Sequence, residues 1–424
     1  MTQPRVVITG SGAVCAAGMD PQAILDAVLE GRCAIGPIKQ WDTTGWPIGI
    51  AGEVVDLNPR ALVEDRKLHK LIRRTDLFGL YAAGRAIEDC GILAHRDAQD
   101  AAAAALTSDR TGVYVGSGGG NYHNTYDYLP LLAETQRELH AFGQQLADSV
   151  NPMWLLRTLP NNVLGHIGIR HGLKGPNACI TNHSVGGLLA LIEAAEALRH
   201  GEADRAVAVG HDTPIEPQMV LFYQRVGLIA SQALRPFDAR HDGSLFGEGA
   251  GALMLETQVS ATARAAAVLG EVLGSGYACE AEGLLSIRDD GDGVARAIEQ
   301  ALDDARLKPA DVGMVVAHGN GTPQSDTSEA AALRRVFGGS VPPVTAFKWC
   351  FGHLIAAAGM LDAVLALRAL KQRVVPGIAT LGSVDPACAG LPLSAAPQVP
   401  RSDVALVLCR GFAGTNAAVL LRAS

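Results

Sequence analysis

The sequence predicts an α/β protein with strands buried beneath helices, on three observations. Short, continuous apolar runs alternate with amphipathic stretches along the whole chain. Glycine is abundant, at 48 residues, while aromatics make up only 5%, so small side chains and tight turns carry much of the packing. After about residue 257 the alternation starts again, which suggests an internally duplicated fold.

In chain order, RVVITG (5–10), TGVYVGSG (111–118), RAVAVG (205–210) and GALMLE (251–256) read as strands. AILDAVLEG (23–31), DLFGLYAAGRAIEDCGI (76–92) and VGGLLALIEAAEALRHG (185–201) read as helices. Gly201 suits the C-cap of the last, with Arg199 and His200 where positive charge favours the helix dipole. The second set runs GEVLGSGYA, helix GDGVARAIEQALDDARL, strand VGMVVAHGNGT and helix SDTSEAAALRRVFG. VTAFK, the apolar helix LIAAAGMLDAVLALRALK and ALVLCRGFAGTNAAVLLRA complete it. The expected halves are 1–256 and 257–424, packed as one body because no low-complexity linker separates them.

Composition excludes several functions. The net charge of −8 leaves no basic excess to neutralise phosphates, which argues against a nucleic-acid binder. No apolar run approaches the roughly 20 residues that span a bilayer, so no membrane association is expected. MTQPRVVITGSG has no signal-peptide layout, and a cytoplasmic location is the expectation. The eight cysteines form no CxxC pair or zinc-like spacing, which predicts free, mostly buried thiols and no metal.

Three local signals carry less than they suggest. GSGAVCAAG (10–18) and GSGGGN (116–121) resemble nucleotide-binding glycines, but Cys15 stands where the third glycine of the first should fall. Both read as tight strand-to-helix turns. Asn182-His183-Ser184-Val185-Gly186 is half of a GxSxG nucleophile elbow, with no Asp…His tail in hydrolase order. The basic stretch RKLHKLIRR (66–74) reads first as a solvated helix face.

Three later motifs do point to chemistry. AHGNGTPQSD (317–326) sets His318 in a glycine-rich turn at a strand end. FKWCFGHLIAAAG (347–359) sets Lys348 and His353 just before an apolar helix, and RGFAGTN (410–416) carries Phe412 in another glycine-rich turn. Two histidines at such junctions, one five residues after a lysine, are a candidate catalytic set.

With these motifs, RVVITGSGAV near the start and RPFDARHDGSLFGEGAG at 235–251, the whole chain resembles the elongating β-ketoacyl-acyl-carrier-protein synthases. The resemblance implies a thiolase-like fold, a duplicated αβαβα five-layer architecture. That family carries a nucleophilic cysteine in a TACxSG segment between a GP and a G-[DE]-A-D turn. Here GP is 175–176 and GEAD is 201–204, and the family spacing places the nucleophile at Ser184. Cys179, five residues earlier, is expected on the entering strand as core packing.

The resemblance further implies acyl transfer from carrier-protein phosphopantetheine to Ser184, then condensation with decarboxylated malonyl-ACP, with His318, His353 and Lys348 completing the catalytic set. Either histidine is a candidate base for the serine hydroxyl, which is harder to deprotonate than a thiol. Phe412 supplies an oxyanion N–H and gates the acyl pocket, and Asp362 partners Lys348. Asp326 and Glu329 support the site, and Asn320 and Thr322 bind pantetheine. Lys70, Arg73 and Arg74 match positions that meet the carrier protein. His183, in place of a small family residue, either narrows the pocket or supplies an extra base.

No metal or diffusible cofactor is implied, since phosphopantetheine arrives on the carrier protein. A dimer is expected, with itself or a second ketosynthase, TGVYVGSG and GSGGGN lying near the contact. Alternatives to condensation are a non-condensing partner like the chain-length factors, and an acyltransferase or hydrolase variant.

Overall fold

Ten strands form one mixed sheet in the computed structural model, which describes residues 4–119 and 122–424. The strands are β1 (Val6–Cys15), β2 (Thr111–Ser117), β3 (Asn177–Ile180), β4 (Arg205–Asp212) and β5 (Gly249–Thr257). They continue with β6 (Gly270–Cys279), β7 (Met314–Val316), β8 (Val344–Thr345), β9 (Val404–Gly411) and β10 (Thr415–Ala423). Their spatial order is β8-β7-β9-β10-β6-β1-β5-β4-β2-β3.

The order exposes a duplication that residue identities hide. The first five strands lie as β3-β2-β4-β5-β1 and the second five as β8-β7-β9-β10-β6, the same arrangement twice. Directions repeat as well: β2 is parallel to β3 and β4, as β7 is to β8 and β9. β5 is antiparallel to β4 and β1, as β10 is to β9 and β6. The two sets join where Val6–Ile8 of β1 pair with Val272–Gly270 of β6.

The helices that place the site are α1 (Pro21–Leu29), α2 (Arg74–Cys90), α3 (Gly186–Arg199), α4 (Asp292–Ala305), α5 (Pro323–Phe337) and α6 (Ala358–Lys371). Residues along the first-half strands alternate between two cores. Val113, Val115, Val207 and Val209 face α2, whereas Tyr114, Ala206 and Ala208 face the middle of the molecule. In that middle α3 and α6 pack on each other and on strands of both halves, while α4 and α5 cover the far side. The result is the thiolase-like five-layer architecture. Because α3 and α6 are covered all round, nearly every residue in them is apolar or small. Each fully buried leucine there contributes roughly 2 kcal/mol.

Glycine permits the close approaches. A Cβ on Gly12 would lie 2.1 Å from the Ala82 carbonyl oxygen, and one on Gly116 would lie 2.3 Å from the Gly186–Gly187 backbone. The glycines of GSGAVCAAG at 10 and 12 therefore sit inside β1 under α2, and not in a strand-to-helix turn. Gly201 has φ +74° one residue beyond the α3 C-cap.

TGVYVGSG is paired on both sides and lies next to β3, the strand at one sheet edge. Of GSGGGN, Gly120 and Asn121 lie outside the described residues. Cys179 is on β3 as expected, but at this edge it is half-buried, its thiol donating to the Pro160 carbonyl at 3.3 Å. It is not core. Among the described residues no helix is long and apolar enough to cross a membrane.

Candidate active site

Ser184 lies in a one-turn 3-10 segment, His183–Val185, that leads directly into α3. The turn is tight because His183 adopts φ +45°, a left-handed conformation uncommon for a non-glycine residue. No side chain caps the start of α3, so its positive end faces the serine. The duplicated turn before α6, Ile355–Ala357, repeats this strain with φ +43° at Ile355. Gly116, Gly186 and Gly187 let the serine turn settle against β2, which buries Ser184 to 1% exposure at the floor of a cavity of about 290 Å³.

His318 and His353 reach the same cavity from the second half. His318 follows β7 and precedes α5; His353 follows β8 and a single turn, Lys348–Phe351. Their rings are 5.1 Å apart and nearly perpendicular. His353 Nε2 lies 3.2 Å from Ser184 Oγ. The other ring nitrogen of each accepts a backbone N–H: Arg410 N to His318 Nδ1 at 3.4 Å, and Ile355 N to His353 Nδ1 at 3.2 Å. Each neutral ring therefore carries its proton on Nε2 and presents it to the cavity. Burial first, then the nearby Lys348 charge, holds both imidazoles well below the ordinary histidine range. Both are neutral donors at pH 7. In that tautomer the His353 Nε2–H faces Ser184 Oγ.

Lys348 is fully buried, and its Nζ bonds Asp362 Oδ2 at 2.9 Å. Burial raises the Asp362 carboxyl while the lysine opposes that rise. Glu329 accepts the His318 and Gly319 N–H groups at 2.7 and 3.0 Å and so holds the histidine loop; burial pushes its carboxyl up to about 7. Asp326 accepts from Phe237 N and Gly321 N and bonds His241, tying that loop to the 235–241 segment. Asn320 and Thr322 line the cavity, where Asn320 Oδ1 accepts both the Thr322 hydroxyl and N–H.

Phe412 also lines the cavity, but its N–H points at His183 Nδ1, 3.5 Å away. The His183 and Phe412 rings stack at 4.3 Å. Sequence reasoning missed what completes this corner. Tyr223 contributes a hydroxyl 3.2 Å from His183 Nε2, and Cys409 donates to the Ser184 carbonyl at 3.1 Å. FYQRVG offers no motif that would single out Tyr223; only the chain's fold brings it to residue 183.

The basic stretch divides. Lys70 is exposed with Arg66 and Lys67, whereas Arg73 is buried at the start of α2. Arg74 turns inward to Glu248, whose buried carboxylate it meets at 2.9 and 2.5 Å. Glu248 would otherwise be a buried, uncompensated charge, so Arg74 is held by the fold with part of its side chain still exposed.

Two family models match the chain: the β-ketoacyl synthase N-terminal domain over residues 3–261 and the β-ketoacyl synthase C-terminal domain over 269–381. A 3-oxoacyl-[acyl-carrier-protein] synthase 2 of Staphylococcus aureus is 32% identical over 441 residues, covering 99% of this chain and 98% of that one. The ishigamide ketosynthase/chain length factor structure has a TM-score of 0.87 at 27% identity, with both chains covered completely. A β-ketoacyl synthase from Burkholderia phymatum has a TM-score of 0.87 at 26% identity, covering 99% of this chain and 100% of that one.

Proposed function

The chain belongs to the β-ketoacyl synthase family, and on that premise we propose that it is a β-ketoacyl-ACP synthase-like acyltransferase using Ser184 as its acyl acceptor. Ser184 Oγ attacks the thioester of an acyl chain delivered on carrier-protein phosphopantetheine, and the pantetheine thiol leaves. Malonyl-ACP then enters the same cavity. His318 and His353, each with Nε2–H facing inward, hydrogen-bond the malonyl thioester oxygen as loss of carbon dioxide places charge there. The enolate carbon attacks the acyl-serine carbonyl, the C–Oγ bond breaks, and Oγ takes up a proton from solvent to restore the hydroxyl. Ser184 N–H stabilises the oxyanions formed at the acyl carbon, joined by Phe412 N–H when it turns away from His183 Nδ1.

One observation carries this reading: the hydroxyl at the start of α3 shares its cavity with two histidines whose protonated nitrogens both face inward. Asn320 and Thr322 hold the pantetheine arm, and Glu329, Asp326 and the Lys348–Asp362 pair maintain the geometry. The carrier protein docks at the exposed end of the basic stretch, around Lys70. A dimer forms along edge strand β3, with the same chain or a second ketosynthase.

The test is incubation with acyl-ACP followed by peptide mass spectrometry, then addition of malonyl-ACP. Acyl mass on the peptide containing Ser184, absent in Ser184→Ala, with a 3-oxoacyl product afterwards, is expected. Acylation elsewhere or nowhere overturns the assignment. An adduct that never condenses points to the acyl-transfer or hydrolase variant.

A further inference from the structure

Ser184 needs a base, and the two histidines brought by the second half are in the wrong state to be one. His353 Nδ1 already accepts the Ile355 N–H, so the Nε2 that faces Ser184 Oγ holds a proton. The serine oxygen accepts there. Its single proton must then point elsewhere, and among the described residues the remaining neighbour within hydrogen-bond distance is His183 Nδ1 at 3.0 Å. That nitrogen also faces the Phe412 N–H, a group that can only donate, so it is the unprotonated nitrogen of its ring. The His183 proton consequently sits on Nε2, directed at the Tyr223 hydroxyl 3.2 Å away.

We infer that His183 is the general base of this site, taking the Ser184 hydroxyl proton on Nδ1 while Tyr223 holds the ring in the required tautomer. This rests on the reading of Ser184 as acyl acceptor. In the acylation step the Oγ–H bond breaks and Nδ1–H forms as Oγ bonds to the thioester carbon. When the carbon–sulfur bond breaks, the Nδ1 proton passes to the departing pantetheine sulfur and His183 returns neutral. The ring is fixed for this task on several sides: it is stacked on Phe412, set by a left-handed backbone and anchored by Tyr223. Burial holds the imidazole down at about 4, so the ring is neutral at pH 7 and, as a weak base, takes the proton only as Oγ bonds to the thioester carbon. Tyr223 is a positioning residue; its ring in turn packs edge-on against Phe246 at 4.7 Å.

A thiol separates base from scaffold, because a cysteine ionises far more readily and needs a neighbouring base much less. Ser184 acylation by an acyl-ACP is followed by intact mass in four proteins: wild type, His183→Ala, Ser184→Cys and the double variant. The expected result is a loss of about 10²- to 10⁴-fold on His183→Ala in the serine background. In the cysteine background the same change should cost less than about tenfold. Tyr223→Phe should slow the serine enzyme by a larger factor than it slows Ser184→Cys. A double variant that acylates within about tenfold of Ser184→Cys also shows that the pocket folds without His183. Equal losses in both backgrounds, or no loss in either, overturn the assignment of the base while Ser184 acylation stands. No acylation of the wild type at Ser184 overturns the underlying reading itself.

Discussion

His318 and His353 face the cavity in the same protonation state by the same device, each accepting a backbone N–H at Nδ1 and turning Nε2–H inward. Nothing about the two side chains requires this; the donors are the N–H groups of Arg410 on β9 and Ile355 in the turn before α6. A pair of neutral donors is suited to an oxygen that gains charge during a reaction.

Replacing either histidine by alanine should therefore slow carbon dioxide release from malonyl-ACP by about 10²- to 10³-fold. Glutamine at the same position, which keeps an N–H donor, should retain more activity than alanine. Equal loss in both variants would show that the N–H is not the operative feature.

Ser184→Cys should raise 3-oxoacyl product formation by about tenfold or more, because an acyl-thioester is more electrophilic than the oxyester formed on serine. Single-turnover assays with preloaded enzyme measure this step directly. A slower cysteine enzyme would mean that carbon–carbon bond formation does not limit the serine protein.

Lys348→Met should destabilise the protein by about 3–5 kcal/mol, since it strands the Asp362 carboxylate in a fully buried site. The double change Lys348→Met with Asp362→Leu should recover most of that loss, to within about 1 kcal/mol of wild type. Urea unfolding of the three variants decides it. A double variant no more stable than the single one would show that packing, and not the unpaired charge, is responsible.

Gly116→Ala should cost about 3 kcal/mol, because its methyl group would overlap the Gly186–Gly187 backbone and push the Ser184 turn off β2. Gly84→Ala within α2 is the control, with open space around its Cβ and an expected gain of up to about 1 kcal/mol. Thermal unfolding compares the two.

Stability should carry a histidine-dependent pH slope. His211 is buried on β4, its Nδ1 2.9 Å from the Thr75 hydroxyl, and burial lowers its imidazole from the ordinary 6.5 to about 4. Between those values the unfolded chain binds a proton that the folded chain refuses. The associated stability is complete above pH 6.5 and is lost as pH falls toward 4, by up to roughly 3 kcal/mol. His211→Gln should flatten that part of the profile in urea titrations at pH 7.5, 6 and 5. An unchanged slope would assign the acid sensitivity to other groups.

Much of the site was legible in residues 175–187, 317–326, 347–359 and 410–416. Glycines at strand-to-helix junctions make close turns, and such turns bring short side chains to the ends of strands. The duplication was legible only as a restarting alternation of elements, since strand order is a through-space property. The basic stretch was legible as charge but not as two environments: Lys70 meets solvent while Arg74 meets Glu248, 174 residues away.

The sequence by itself determined the α/β layering and the two histidine junctions, because local apolar patterning and glycine spacing encode them, while the choice of Ser184 follows from the spacing that the family resemblance implies. Only the tertiary structure decided how the site is wired. Which nitrogen of His353 carries its proton follows from a neighbouring turn, and the partners of His183 are a helix residue 40 positions away and a strand-end N–H 229 positions away. Hydrogen bonds have direction, and that direction is set by which donors the fold brings within about 3 Å.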